Sequence, residues 1–97
     1  MTLEGTVARL EWTNPHAWLY LDVAGADGGS VRWALELSAP SALARRGLRP
    51  DVARPGTKLV VKGYRAKNGR PAARAWYVTL PDGRSLNLTL TDSAGHR

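Results

Sequence analysis

Apolar and polar residues alternate through three consecutive segments: TVARLEW (residues 6–12), HAWLYLDV (16–23) and SVRWALEL (30–37). Each is rich in β-branched and aromatic residues, and the separators TNP and AGADGG have strong turn compositions, so the pattern predicts a three-stranded antiparallel meander. The period then changes. SAPSALARRG (38–47) reads as a helix of about two turns, with Ser38 as its cap, Pro40 in the first turn, Arg45 and Arg46 facing the negative end of the dipole, and Gly47 as a left-handed C-cap. After the turn-rich LRPDVARPG, the segments TKLVVKGY (57–64) and ARAWYVTL (73–80) read as a fourth and fifth strand. The basic loop RAKNGRP joins them, and PDGR turns into SLNLTL, whose leucines at 86, 88 and 90 share one face. Three strands, a helix and two strands is the order of the oligonucleotide- and oligosaccharide-binding (OB) barrel. The expected fold is therefore mainly β: a small five-stranded OB-like barrel with one short helix between strands three and four, forming a single domain over residues 1–97. Small antiparallel barrels of other topology share much of this order.

Register is testable from sequence, because a slip of one residue exchanges the core and solvent faces. Pairing Val23 with Val31 sets Leu21 opposite Trp33, Leu19 opposite Leu35 and Ala17 opposite Leu37, all apolar. The alternate positions pair Asp22 with Arg32, Tyr20 with Ala34 and Trp18 with Glu36 on an outer face. Carried across the Asn-Pro turn, this parity puts Ala8, Leu10 and Trp12 inward and Arg9 and Glu11 outward. Trp12 and Trp33 are then core. Trp18 and Tyr20 point outward at i, i+2 beside the gap left by Ala34, either as a stacking shelf for a flat ligand or as a surface covered by SLNLTL or by a dimer partner. Asn14 is expected to close the turn through its side chain and Pro15 to fix φ there. His16, at the mouth of the barrel, is open to three roles: a hydrogen-bond donor, a metal ligand or a partner of a backbone carbonyl.

A chain of 97 residues with 43% hydrophobic and 23% charged residues fits one small globular core, and nothing in it approaches the roughly 18 apolar residues of a membrane span. The absence of cysteine removes disulfides, thiolate nucleophiles and thiolate metal sites together. The opening MTLEGTV has neither the basic start nor the apolar run of an export signal. The net charge of +6 is lopsided: residues 1–40 carry Arg9 and Arg32 against five acids, and residues 41–97 carry twelve Lys/Arg against Asp51, Asp82 and Asp92. A polyanion would be drawn to the second half, where Arg65, Lys67, Arg70 and Arg74 flank or occupy the loop between strands four and five.

No G-x-S-x-G elbow and no phosphate-cradling glycine loop occurs, and ADGGS is explained as a hairpin turn, so no catalysis and no cofactor is expected. A metal site would draw on His16 with Glu11 and Glu36, a sparse set, since His96 lies far off in the tail. EGTVARLEWTNPHAWLYLDV, SALARRGLRPD, PGTKLVVKGYRAKNG and ARAWYVTLPDGRSL resemble, nearly end to end, a family of small exported bacterial proteins catalogued as a domain of unknown function, with EWTNPHAW as its most specific mark. The resemblance implies an envelope-located, periplasmic, barrel-like domain and supplies no reaction. Relatives of that family carry a leader and a histidine-containing segment ahead of EGTV, whereas this chain opens at Met1 and Thr2. The leading expectation is a non-catalytic binding or interaction module, for a small ligand or a protein partner, built on Arg9, Glu11, Asn14, His16, Trp18, Tyr20 and Ala34. Two alternatives are a single-stranded nucleic-acid-binding barrel and a small metal-binding protein using His16.

Overall fold

A computed structural model of the chain describes residues 1–88. The elements are β1 (Thr2–Glu11), β2 (Trp18–Ala24), β3 (Ser30–Glu36), α1 (Pro40–Arg45), β4 (Lys58–Arg65), β5 (Ala72–Thr79) and β6 (Ser85–Asn87). β1, β2 and β3 form the meander; the first half of β1 also pairs with β4, β4 pairs with β5, and β5 closes the ring by a short parallel pairing with β3. The result is a closed five-stranded barrel of OB-like topology with α1 between β3 and β4, and β6 extends the far half of β5. No helix among the described residues is long and apolar enough to cross a membrane.

The β2–β3 register is the one the alternation predicts, from Val23 opposite Val31 to Trp18 opposite Glu36. Leu19, Leu21 and Leu35 are fully buried and Trp33 is 8% exposed, and they pack with Val7, Leu43, Leu59, Val61 and Val78 in one cluster. Beyond the strand ends the ladder continues, with the Leu37 amide donating to the Ala17 carbonyl at 2.9 Å and Ala17 donating to Ser38 at 3.1 Å.

β1 departs from the expected parity at one residue. Val7 faces Leu21 and Arg9 faces Tyr20, so Ala8 is the extra residue of a bulge and is half-buried rather than a core residue. Ahead of the bulge, Leu3 and Val7 face inward; after it, Leu10 and Trp12 pack against the core from positions that stay partly exposed. Gly5 is what lets β1 lie this close to β2, since a Cβ there would collide with the Asp22 carbonyl oxygen.

The helix is capped differently from expectation. Its N-cap is Ala39, with no side-chain bond, and Pro40 begins the helix. Ser38 is already committed: its carbonyl accepts from Ala17 and its hydroxyl donates to the Leu88 carbonyl at 3.2 Å. The C-terminus is as read. Gly47 has φ +98°, its amide reaches the Ala44 carbonyl and Leu48 reaches Leu43, the paired bonds of a Schellman cap.

Candidate functional site

The barrel's outer surface carries one continuous row of register partners. Glu11 lies opposite Trp18, Trp18 opposite Glu36, Glu36 opposite Arg74, and Arg74 opposite Tyr64, so five residues from five strands form a belt around one end of the barrel. The next row holds Arg9, Tyr20, Ala34 and Ala72. Where β3 and β5 meet, both members of this second row are alanines, and a groove opens there that Ala72 lines and Ala34 does not.

That groove, about 250 Å³, is walled by Trp18 and Tyr64, floored by Ala66, Ala72 and Ala73, and crossed by Glu36 and Arg74. Tyr64 is held in an unusual place for a large aromatic residue, 69% exposed. Leu59, Val61 and Gly63 take the inward positions of β4, and a Cβ on Gly63 would lie 2.7 Å from the Arg74 carbonyl oxygen, so glycine brings β4 against β5 and leaves Tyr64 facing out. The ring is backed by Trp76, with centroids 6.3 Å apart and planes 27° from parallel. Trp76 in turn leans on Tyr77, over which Lys62 places its ammonium at 5.2 Å. Trp76 is the extra residue of a bulge in β5, skipped between the Lys62–Tyr77 and Gly63–Ala75 pairs.

The polar end of the groove centres on Glu36. One carboxylate oxygen lies 2.7 Å from His16 Nδ1 and the other 3.4 Å from an Arg74 guanidinium nitrogen. All three side chains keep between three-tenths and half of their surface exposed, at 41% for His16, 31% for Glu36 and 49% for Arg74. The imidazole therefore has a carboxylate partner. The turn behind it is closed by Thr13, whose hydroxyl donates to the His16 carbonyl at 3.2 Å. Asn14 sits exposed at the tip, makes no side-chain hydrogen bond among the described residues, and joins Pro15 through a cis peptide bond.

The shelf expected from Trp18 and Tyr20 divides. Arg9 lays its guanidinium over the Tyr20 ring at 4.9 Å, and Glu11 binds both Arg9 at 2.6 Å and the Tyr20 hydroxyl at 3.2 Å, so Tyr20 belongs to a self-contained cluster. Trp18 faces the groove instead. Trp18 also stands between Glu11 and Glu36 in the row, which keeps Glu11 apart from the His16–Glu36 pair. No group of three or more His, Asp or Glu among the described residues is placed to hold a metal. β6 lies along β5, where Leu86 and Asn87 pair with Val78 and Tyr77. Leu90 and His96 fall outside the described residues.

The four basic residues expected to grip phosphates do not act together. Arg65 ends β4 and stacks over Trp33 at 5.2 Å, while Arg74 lies in β5 and pairs with Glu36. The connecting loop is shorter than expected, residues 66–71. It carries Lys67 and Arg70 exposed, and the Arg70 amide donates to the Asn68 side chain at 3.0 Å. Arg32 makes two bonds to Asp22, at 2.8 and 3.1 Å, and this pairing holds the Asp22 carboxyl below the usual carboxylate range.

A larger concavity of about 390 Å³ shares no residue with the groove. It follows the sharp approach at Gly5 and is lined by Glu4, Thr6, Asp22, Lys58, Val60 and Leu80 among others. It lacks aromatic walls, and its Asp22 is already engaged by Arg32.

Tyr64, Ala66, Ala72 and Ala73 line the groove, and Trp76 and Tyr77 stack behind Tyr64, although none of the six was among the expected site residues. No curated protein and no solved structure matches the chain. A protein-family model does match, over residues 1–74, a span that contains all five residues of the belt from Glu11 to Arg74. The chain is thus a member of the family of unknown function DUF6152.

Proposed function

We propose that this chain is a non-catalytic binding module of the bacterial envelope whose ligand seat is the groove between Trp18 and Tyr64. The observation that carries the reading is Tyr64 itself: a large aromatic ring kept 69% exposed, braced from behind by Trp76, at the rim of a hollow floored with alanine. Folding alone favours burying such a ring, and exposed aromatic surface beside a hollow with a few polar groups is the usual form of a small-ligand site. The position borders the strand two and three face and the loop between strands four and five that such barrels use for ligands, since Trp18 and Glu36 come from β2 and β3 and Ala66 from that loop. The non-catalytic part of the reading rests on the chemistry at the polar end. His16 has a carboxylate to orient it, yet no serine, threonine or tyrosine hydroxyl among the described residues is hydrogen-bonded to its ring, so the nucleophile of an acyl-transfer arrangement is missing. The envelope placement rests on the resemblance of the EWTNPHAW core to exported proteins.

The test is a thermal-shift screen of a diverse fragment set against the wild type and Tyr64→Ala. Ligands that bind only the folded state raise its melting temperature. Removing a ring this exposed leaves the core intact, so the variant is expected to melt near the wild type and to lose the stabilisation given by the hits. Hits that stabilise Tyr64→Ala equally well would place the seat elsewhere.

A further inference from the structure

We infer that the groove takes a neutral sugar ring, as part of a short oligosaccharide; this rests on the reading of the groove as a ligand seat. The walls offer the first half of the argument. Trp18 and Tyr64 wall one groove of about 250 Å³, a space on the scale of a six-membered ring, whose C–H faces pack on aromatic π-faces. The alanine floor adds apolar contact without directional demands.

The polar groups offer the second half. Glu36 uses one oxygen toward His16 and the other toward Arg74, and a carboxylate has about four acceptor positions, so acceptor capacity remains for ligand hydroxyls. Arg74 presents five N–H donors, of which the Glu36 contact engages a part. A carboxylate acceptor beside a guanidinium donor, 3.4 Å apart, matches two neighbouring ring hydroxyls, one donating to Glu36 and the next accepting from Arg74. His16 fixes the carboxylate from the far side, which limits the entropy lost when a ligand arrives.

Charge separates this class from a polyanion. Four arginines of the groove and the adjoining outer face already have partners, Arg9 with Glu11, Arg32 with Asp22, Arg74 with Glu36, and Arg65 on the Trp33 ring, while Lys67 and Arg70 stand exposed in the loop beside it. A phosphate reaching Arg74 must compete with the Glu36 carboxylate and then lie beside it. A neutral hydroxylated ring uses both groups without separating them.

The experiment is isothermal titration of the full chain with the glucose hexamers cellohexaose and maltohexaose, with chitohexaose, and with an oligothymidine strand, at low and high salt. The expected result is binding of at least one neutral hexamer with an affinity nearly independent of salt. Trp18→Ala and Tyr64→Ala are each expected to weaken it about tenfold or more, as loss of one stacking platform does, and Glu36→Gln to weaken it while melting near the wild type. Oligothymidine binding that falls steeply with salt and is lost in Tyr64→Ala, with no hexamer bound, would overturn the sugar assignment and leave the groove as the seat. Hexamer binding unaffected by all three substitutions would overturn the placement. No binding by any of these ligands would overturn the sugar assignment, and the fragment screen then decides separately whether the groove is a seat at all.

Discussion

Replacing Trp33 by alanine is expected to remove much of the stability of the domain, whereas the same change at Trp18 removes little. Trp33 is 8% exposed, faces Leu21 across the β2–β3 ladder, and carries the Arg65 guanidinium on its ring at 5.2 Å. Truncating a buried Trp costs about 3–5 kcal/mol through lost burial and the cavity left behind, and the cation–π contact adds about 0.5–1 kcal/mol. A domain of this size has a total stability of about 5–15 kcal/mol, so the loss is a large share of it. Trp18 is half-buried, on the outer face, and its truncation leaves no closed cavity; about 1 kcal/mol is expected. At about 4–8 °C per kcal/mol for a domain of up to 100 residues, Trp33→Ala should melt roughly 15–50 °C below the wild type. Urea unfolding followed by far-ultraviolet circular dichroism measures both, with unchanged m-values as the check that midpoint shifts report stability. If Trp18→Ala proves as destabilising as Trp33→Ala, the assignment of inner and outer faces is wrong, and the groove with it.

Gly5→Ala should cost about 2–3 kcal/mol in the same melts, because the added methyl meets the backbone of β2 rather than a movable side chain; a neutral effect would contradict the tight approach of β1 to β2. The hydrogen bonds from Arg32 depress the Asp22 carboxyl in the folded state, so their contribution is present above the ordinary carboxylate pKa and fades as pH falls through the lowered folded value. Carboxyl NMR titration should show the Asp22 midpoint moving up in Arg32→Ala, and an unmoved midpoint would refute the assigned cause. Stoichiometric zinc or copper should leave the melting temperature unchanged, since His16 is paired with Glu36 alone among the acids and Trp18 separates that pair from Glu11. A metal-induced rise that disappears in His16→Gln yet survives deletion of residues 89–97 would contradict this.

The β2–β3 face was legible because every inward position is apolar and a one-residue slip would have buried Asp22, Arg32 and Glu36. Strand order and the position of the helix followed from turn composition and the change of period. Three features were hidden for physical reasons. The β1 bulge falls in Val7-Ala8, where two adjacent apolar residues leave the parity undefined, so Ala8 was assigned the inward place that Val7 occupies. Ser38 has the composition of a cap, but Pro40 at the first helical position moves the N-cap to Ala39, and the Ser38 backbone already belongs to the β2 ladder. The groove depends on the parallel closure of β3 on β5, a contact between segments 38 residues apart, which sets Glu36 against Arg74 and converts a presumed phosphate ligand into half of an ion pair. One sequence signal did point to Tyr64. With Leu59, Val61 and Gly63 inward, an aromatic residue directly after the glycine had to face outward.

The central claim, that the seat lies between Trp18 and Tyr64, is tested most directly by mapping the fragment set on the ¹⁵N-labelled protein by two-dimensional NMR. The predicted result is that shifts concentrate at the Trp18 indole and the amides of Tyr64, Ala72 and Arg74, with the Trp33 indole unmoved. Shifts gathered instead around Gly5, Lys58 and Leu80, in the larger concavity, or no reproducible shifts at Trp18, would contradict it.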